Sequence, residues 1–323
     1  MVTLSPRAWR QNREASGFLC SLAFVCLASV RDVYLGGLFQ RLSPLPVAAA
    51  AFVLCSVVFL PIAFVKSPKS LRILLRHPWE LFWVNATSAL AWIAFFYALR
   101  TIEPLLVQIL FSGVGPLSVA WIDRLIPGAA PPPVLGRSER LAHLGILAAL
   151  VLAVVVALGG LSGTRPQPLS VTALGIVLAT SAGLSISINT VLCRQLNDTG
   201  VDPVALVSVR FLGAIASATP LALLSHHDFL AFFSTTGLAI VLGASLLLIV
   251  FPIYVNQVGI SLASPFTVRV VLAIAPVLIF LLQLAEGRLS PSPWSLVSAV
   301  VYGVFAACAV RTRQRAIRLA GQG

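Results

Sequence analysis

The sequence predicts an all-α integral membrane protein of ten transmembrane helices in two inverted five-helix repeats, with both termini cytoplasmic. Three observations predict it. Of the 323 residues, 59% are hydrophobic and 10% are charged, against about 45–50% and about 25% in soluble domains. Ten apolar stretches approach the ~20 residues that span a bilayer. Basic residues crowd onto alternate connections, as they do when those connections stay in the cytoplasm.

The elements follow in order. A basic tail over 1–16 carries Arg7, Arg10 and Arg13. An apolar run from Gly17 has the outline of a signal peptide, but Val30 is a poor cleavage residue and the apolar pattern resumes from Val33 to Phe39. The first span is therefore 17–39, interrupted by Arg31 and Asp32. Further spans are read at 45–65, 81–99, 104–122, 141–161, 170–192, 203–224, 236–257, 263–284 and 293–311. Only Arg100 and Glu103 mark the turn between the third and fourth. Segment 66–80 (KSPKSLRILLRHPWE) reads as a short amphipathic piece along the interface. The stretch PGAAPPPVLG within 123–140 reads as extended. Residues 162–169 form an external linker, and 312–323 a second basic cytoplasmic tail.

Orientation follows from the cations. With the amino terminus inside, fifteen of the 22 Lys and Arg residues fall on cytoplasmic segments. Four (Arg41, Arg100, Arg165 and Arg288) fall outside, and three (Arg31, Arg210 and Arg269) lie within spans. The formal net charge of +12 then faces anionic inner-leaflet lipid. Nucleic acid is not an expected partner; a lipid bilayer and a small solute are. The chain is expected in the cell membrane, for which a bacterial inner membrane fits, as a monomer or a homodimer.

Internal repetition supports two halves, 17–161 and 170–311. Pro-Val-Ala recurs at 46–48 and 203–205, each time at the start of a span. Gly115-Pro116-Leu117 has a counterpart in Ala275-Pro276-Val277, and Tyr97 in Tyr254. An odd number of spans per half makes the second half enter from the opposite side. That gives an inverted repeat about an axis in the membrane plane.

Two long segments carry a family resemblance: FFYALRTIEPLLVQILFSGVGPLSVAWIDRL at 95–125 and VGISLASPFTVRVVLAIAPVLIFLLQLAEGRLSPSPW at 258–294. With VSVRFLGAI at 207–215, the chain resembles the drug/metabolite transporter superfamily, EamA type. It departs from that pattern where the first half has Phe52-Val53 instead of an Arg-Phe pair, and where Arg31-Asp32 replaces small polar residues. The resemblance implies a secondary transporter, often an exporter of amino acids or other metabolites.

Ionisable groups inside hydrocarbon cost about 2.5–3.5 kcal/mol each on insertion scales, so they persist where a cavity or a partner receives them. Asp32 is the acid set deep in a span, roughly 22 Å from its inner end at the helical rise. It reads as a substrate-amine contact or a proton-coupling carboxylate, or as half of an ion pair with a neighbouring arginine. Arg31 adjoins it at about 100° around the helix. Arg210 and Arg269, roughly 10 Å and 9 Å from the inner boundary, read as a cationic lining that attracts an anion or as anchors that snorkel to the interface. Among neutral residues, Trp92, Asn189 and Tyr254 are the main candidate solute contacts, with Asn85, Tyr97, Gln108, Asn256, Gln257 and Gln283 behind them. Pro61, Pro116, Pro220, Pro252 and Pro276 are expected to kink their helices.

Other chemistries lack their motifs. The sequence has no GxxxxGK[ST], no HExxH and no GxSxG. Its five cysteines form no CxxC. No enzyme activity, cofactor or metal is expected. A lipid-processing enzyme and a non-transporting scaffold or receptor are the alternatives; the first would need clustered acids, histidines or metal ligands, and the second would need no buried charge.

Overall fold

Proline marks the helix starts. Pro6, Pro44, Pro68, Pro78, Pro104, Pro203, Pro265 and Pro293 each open a helix, where the missing N–H is not needed and φ is already set. The computed structural model describes residues 6–39, 43–125, 136–164, 167–224, 243, 245–263, 265–287, 290 and 292–320, without the side chains at 6–12, 119–121, 123–125, 265, 266, 269, 270, 310 and 313–320. The helices are α1 (Pro6–Phe39), α2 (Pro44–Lys66), α3 (Pro68–Arg76), α4 (Pro78–Thr101), α5 (Pro104–Leu125), α6 (Arg137–Leu158) and α7 (Leu169–Asp198). They continue with α8 (Pro203–Val209), α9 (Leu212–Leu224), α10 (Phe251–Leu262), α11 (Pro265–Leu272), α12 (Ala275–Glu286) and α13 (Pro293–Ala320). A π-helical turn, Leu246–Val250, leads into α10. No strand occurs among the described residues.

The chain is a multi-pass membrane protein. Six segments are long and apolar enough to cross a bilayer: Arg13–Phe39, Pro44–Lys66, Pro78–Thr101, Arg137–Leu158, Leu169–Asp198 and Pro203–Leu224. Four shorter apolar helices accompany them: Pro104–Ser118, Leu246–Leu262, Ala275–Glu286 and Pro293–Ala309. Helix α6 shows the physical logic. Ala142, Gly145, Ala149 and Ala153 are buried, while Leu141, Leu144, Leu147, Val151 and Val155 are exposed. Ile146, Leu150 and Val156 are buried beside the small residues; large aliphatics on the outward face are the reverse of a soluble helix, and small residues inward suit close packing within lipid. A Cβ on Gly145 would lie 2.1 Å from the Phe305 ring, so only glycine lets α13 approach there.

The helices pair in a regular scheme. Helix α4 packs along α7, and α1 along α10. Helix α5 packs on α7, and α1 on α11 and α12. Helix α2 lies on α8 and α9, and α6 on α13. A main apolar core joins α2, α4, α5, α6 and α13 around Phe39, Phe52, Phe96 and Tyr302.

Several expectations change. Helix α1 runs unbroken through Arg31 and Asp32, because the two side chains neutralise each other locally and leave the backbone ladder intact. Helix begins at Pro6 within the expected amino-terminal tail and continues to Ala320 within the carboxy-terminal one; arginine and glutamine favour helix there. The expected 263–284 helix divides between Leu272 and Ala275, just before Pro276. The expected 203–224 helix divides at Arg210–Phe211 without a proline. There the Gly213 N–H donates to Asn85 Oδ1 of α4 at 2.9 Å. A side chain from another helix has replaced a rung of the ladder, which interrupts a helix as a proline does. The expected amphipathic piece is α3, with Ser70 and Leu74 buried and Lys69, Arg72 and Arg76 exposed. The first part of the expected 236–257 span, and residues 126–135 of the Pro-rich segment, lie outside the described residues.

Candidate functional site

One cavity lies among α1, α4, α5, α7, α10, α11 and α12, and Arg210, just after α8, reaches it. It holds about 670 Å³, counting the part open to solvent. Its walls are mostly apolar, from Phe24, Val25, Ala28, Phe95, Phe111, Ile253, Val268 and Leu272. Arg31, Asp32, Trp92, Gln108, Arg210 and Asn256 add polar groups. Apolar walls with a few convergent polar groups are the usual form of a small-molecule site.

Arg31 and Asp32 are 3% and 1% exposed. Arg31 Nε and Nη2 both donate to Asp32 Oδ1 at 2.7 Å. Sequence neighbours about 100° apart on a helix thus meet because the long arginine side chain folds back. The guanidinium carbon lies 4.8 Å from the Trp92 ring centre and 5.7 Å from that of Phe95, within the range of cation–π attraction. Arg31 Nη1 is buried without a partner.

Arg210 is 2% exposed and lines the same cavity, so it does not snorkel to a surface. Its Nη1 donates to Gln257 Oε1 at 2.6 Å, and its Nη2 donates to Asn189 Oδ1. Its guanidinium carbon is 5.0 Å from the Phe211 ring centre. Phe211 stacks on Phe52 at 4.7 Å, and Phe52 meets Trp92 edge-on at 5.9 Å. A continuous aromatic relay therefore separates the two arginines.

The remaining candidates divide. Asn189 does not line the cavity. Its Nδ2, with two hydrogens, lies within hydrogen-bond distance of three acceptors, Val84 O, Thr87 Oγ1 and Ser88 Oγ, at 2.9, 3.0 and 2.9 Å. With Oδ1 on Arg210, it is a satisfied bridge that positions the arginine. Tyr254 lies off the cavity and stacks on Phe59 at 5.1 Å. Arg269 sits on α11 between two cavity-lining positions, Val268 and Leu272, and its side chain lies outside the described residues. Gln108 and Asn256, lesser candidates by sequence, do line the cavity. Trp92 Nε1, Gln108 Oε1, Arg210 Nε and Asn256 Oδ1 are all buried without a partner. Such orphans are rare in folded proteins. With Arg31 Nη1, five such atoms belong to residues that line this one cavity.

Polar stitches tie the helix ends beyond the cavity. At one end the Glu103 carboxylate accepts from Ser295 Oγ–H at 2.7 Å and from Gly163 N–H at 3.0 Å, and Ser292 Oγ–H donates to Leu161 O at 2.5 Å. At the other, Arg194 Nη1 donates to Ile260 O, Ser261 O and Ala263 O at 3.0, 3.1 and 2.9 Å. A cation is favourable against those carbonyls at the end of α10.

No protein-family model matches the chain, and no curated protein does. Among solved structures, it is similar to one described as "Crystal structure of protein", with a TM-score of 0.61 and 19% identity. The match covers 94% of this chain and 99% of that chain. The likeness is one of fold, and it extends over nearly the whole helical path.

Proposed function

We propose that the chain is a secondary-active transporter that moves a small organic metabolite, amino-acid-like or anionic, by alternating access, in the manner of the EamA-type drug/metabolite transporters it resembles. The observation that carries this reading is the central cavity, a mostly apolar space whose lining includes Arg31, Asp32 and Arg210 and whose lining residues hold five polar atoms buried without a partner. A scaffold gains nothing from that arrangement, while a carrier needs it.

The packing scheme supports two inverted halves. Six long helices and four shorter apolar ones add up to the ten spans of the proposal. Advancing each span by five turns the α1–α10 pairing into the α7–α4 pairing, and the α1 contacts with α11 and α12 into the α7–α5 contact. The pairings of α2 with α8 and α9, and of α6 with α13, map onto themselves. A two-fold axis relating the halves has this signature, and such symmetry permits inward and outward states of equal architecture. With both termini cytoplasmic in a bacterial inner membrane, the Arg194 stitch lies on the inner side and the Glu103 stitch on the outer. Export is the direction the resemblance implies. Asp32 is the proposed proton-coupling group, with Arg31, Trp92 and Arg210 at the solute.

Purified protein reconstituted in liposomes tests the reading. A panel of radiolabelled amino acids and organic acids is expected to show gradient-driven flux of at least one solute above empty liposomes, and no flux across the panel contradicts it. Asp32→Asn is expected to change the pH profile of that flux; an unchanged profile removes the proton role and leaves the carrier role standing.

A further inference from the structure

We propose that the cavity selects a solute with one net negative charge and that Arg210 holds its carboxylate. This rests on the transporter reading and narrows it.

Arg210 is buried, and both of its hydrogen-bond acceptors, Gln257 Oε1 and Asn189 Oδ1, are neutral amides. No carboxylate lies within ion-pair distance of it among the described residues. Other acids are engaged elsewhere: Asp32 with Arg31, Asp198 with Arg194, Glu80 with His77, Glu14 with Thr267, Asp202 with the Val204 N–H, and Glu103 with Ser295 and Gly163. A guanidinium keeps its proton in proteins, so this charge cannot be shed as a buried lysine sheds its own. Buried ions are stable when paired, and a lone one is costly. Two amides lower that cost and leave the charge in place.

The remaining cavity charges cancel, because Arg31 and Asp32 neutralise each other at 2.7 Å. The described lining therefore carries one net positive charge. A zwitterion would leave it uncompensated and a cation would add to it. A monoanion cancels it. The hydrogen-bond inventory agrees. Arg31 Nη1, Trp92 Nε1 and Arg210 Nε are buried donors without a partner on lining residues. An anion's oxygens fit the donors, and apolar walls fit a carbon body. The break at Arg210–Phe211, held open by Asn85, sets the arginine at this point. Asn189 and Gln257 act as positioning residues that hold its guanidinium by one nitrogen each and leave Nε–H for the solute.

The test uses matched probes on the purified full chain. Phenylacetate and isovalerate are compared with their amides and with the amines of the same skeletons, by thermal shift and by competition for flux. The carboxylates are expected to bind at least tenfold more tightly than either relative. Arg210→Gln is expected to abolish that preference, so that acid and amide bind with similar affinity. Gln257→Glu, nearly isosteric, places a carboxylate beside Arg210 and is expected to cost acid binding at least tenfold in a folded protein, which keeps the proposal testable if Arg210→Gln fails to fold. Amides or amines that bind as tightly as acids, no bound carboxylate, or a preference that survives both substitutions overturns the proposal. If neutral or cationic probes bind and move instead, the carrier reading stands and the anion inference falls. If no probe of any charge binds or moves, both fall.

Discussion

A charge inside an apolar run is the most legible residue in a membrane sequence. Arg31, Asp32 and Arg210 stand out because each interrupts an apolar run, and all three line the cavity. Trp92 joins them there. Neutral polar residues are less legible, because sequence does not reveal which way a helix is turned. Asn189 and Tyr254 look alike as candidates, yet Asn189 is spent on α4 and Arg210, and Tyr254 on Phe59. Glu103 was legible only as a turn marker; its partners Gly163 and Ser295 lie far along the chain. It sits in the turn between α4 and α5, outside the spanning segments. Burial pushes its carboxyl above the ordinary range, against the opposing effect of the hydrogen bonds from Ser295 and Gly163. The folded protein therefore holds this proton to higher pH than the unfolded chain. The stability linked to it is full below the ordinary glutamate range and is lost as pH rises through the raised value. Thermal unfolding measured against pH should show that decline, and Glu103→Gln should flatten it. A decline unchanged in the variant assigns it to another group.

At the scale of elements, the helix ends were readable because proline writes them, and eight helices open on one. The lipid-facing side of α6 was written in its large aliphatics. The break inside 203–224 was not readable, because its cause is the Asn85 amide arriving from α4. Close helix contacts were hidden for the same reason. Gly183 of α7 is one: a Cβ there would lie 2.4 Å from the Phe111 carbonyl oxygen of α5. The backbone cannot yield as a flexible side chain would, so Gly183→Ala should force the two helices apart. A cost of about 1–3 kcal/mol is expected, as for other overpacked sites. Unfolding in detergent checks it, and a variant as stable as the parent contradicts the close approach.

At the scale of the whole molecule, composition made membrane residence legible, and the spacing of apolar runs anticipated where helices form. Which helices touch, and that one cavity gathers side chains from helices far apart in the chain, are consequences of tertiary packing that no single segment records. In the proposed cycle the stitch at Glu103 and the stitch at Arg194 open in turn. The most direct measurement is labelling by a membrane-impermeant thiol reagent, in a cysteine-free background, of Ala28→Cys, Ala91→Cys and Ala275→Cys, three small positions on the cavity wall. All three are expected to react, Arg194→Ala to raise labelling from the cytoplasmic face, and Ser295→Ala to raise it from the opposite face. Positions that stay unreactive from both faces in every background would contradict this expectation.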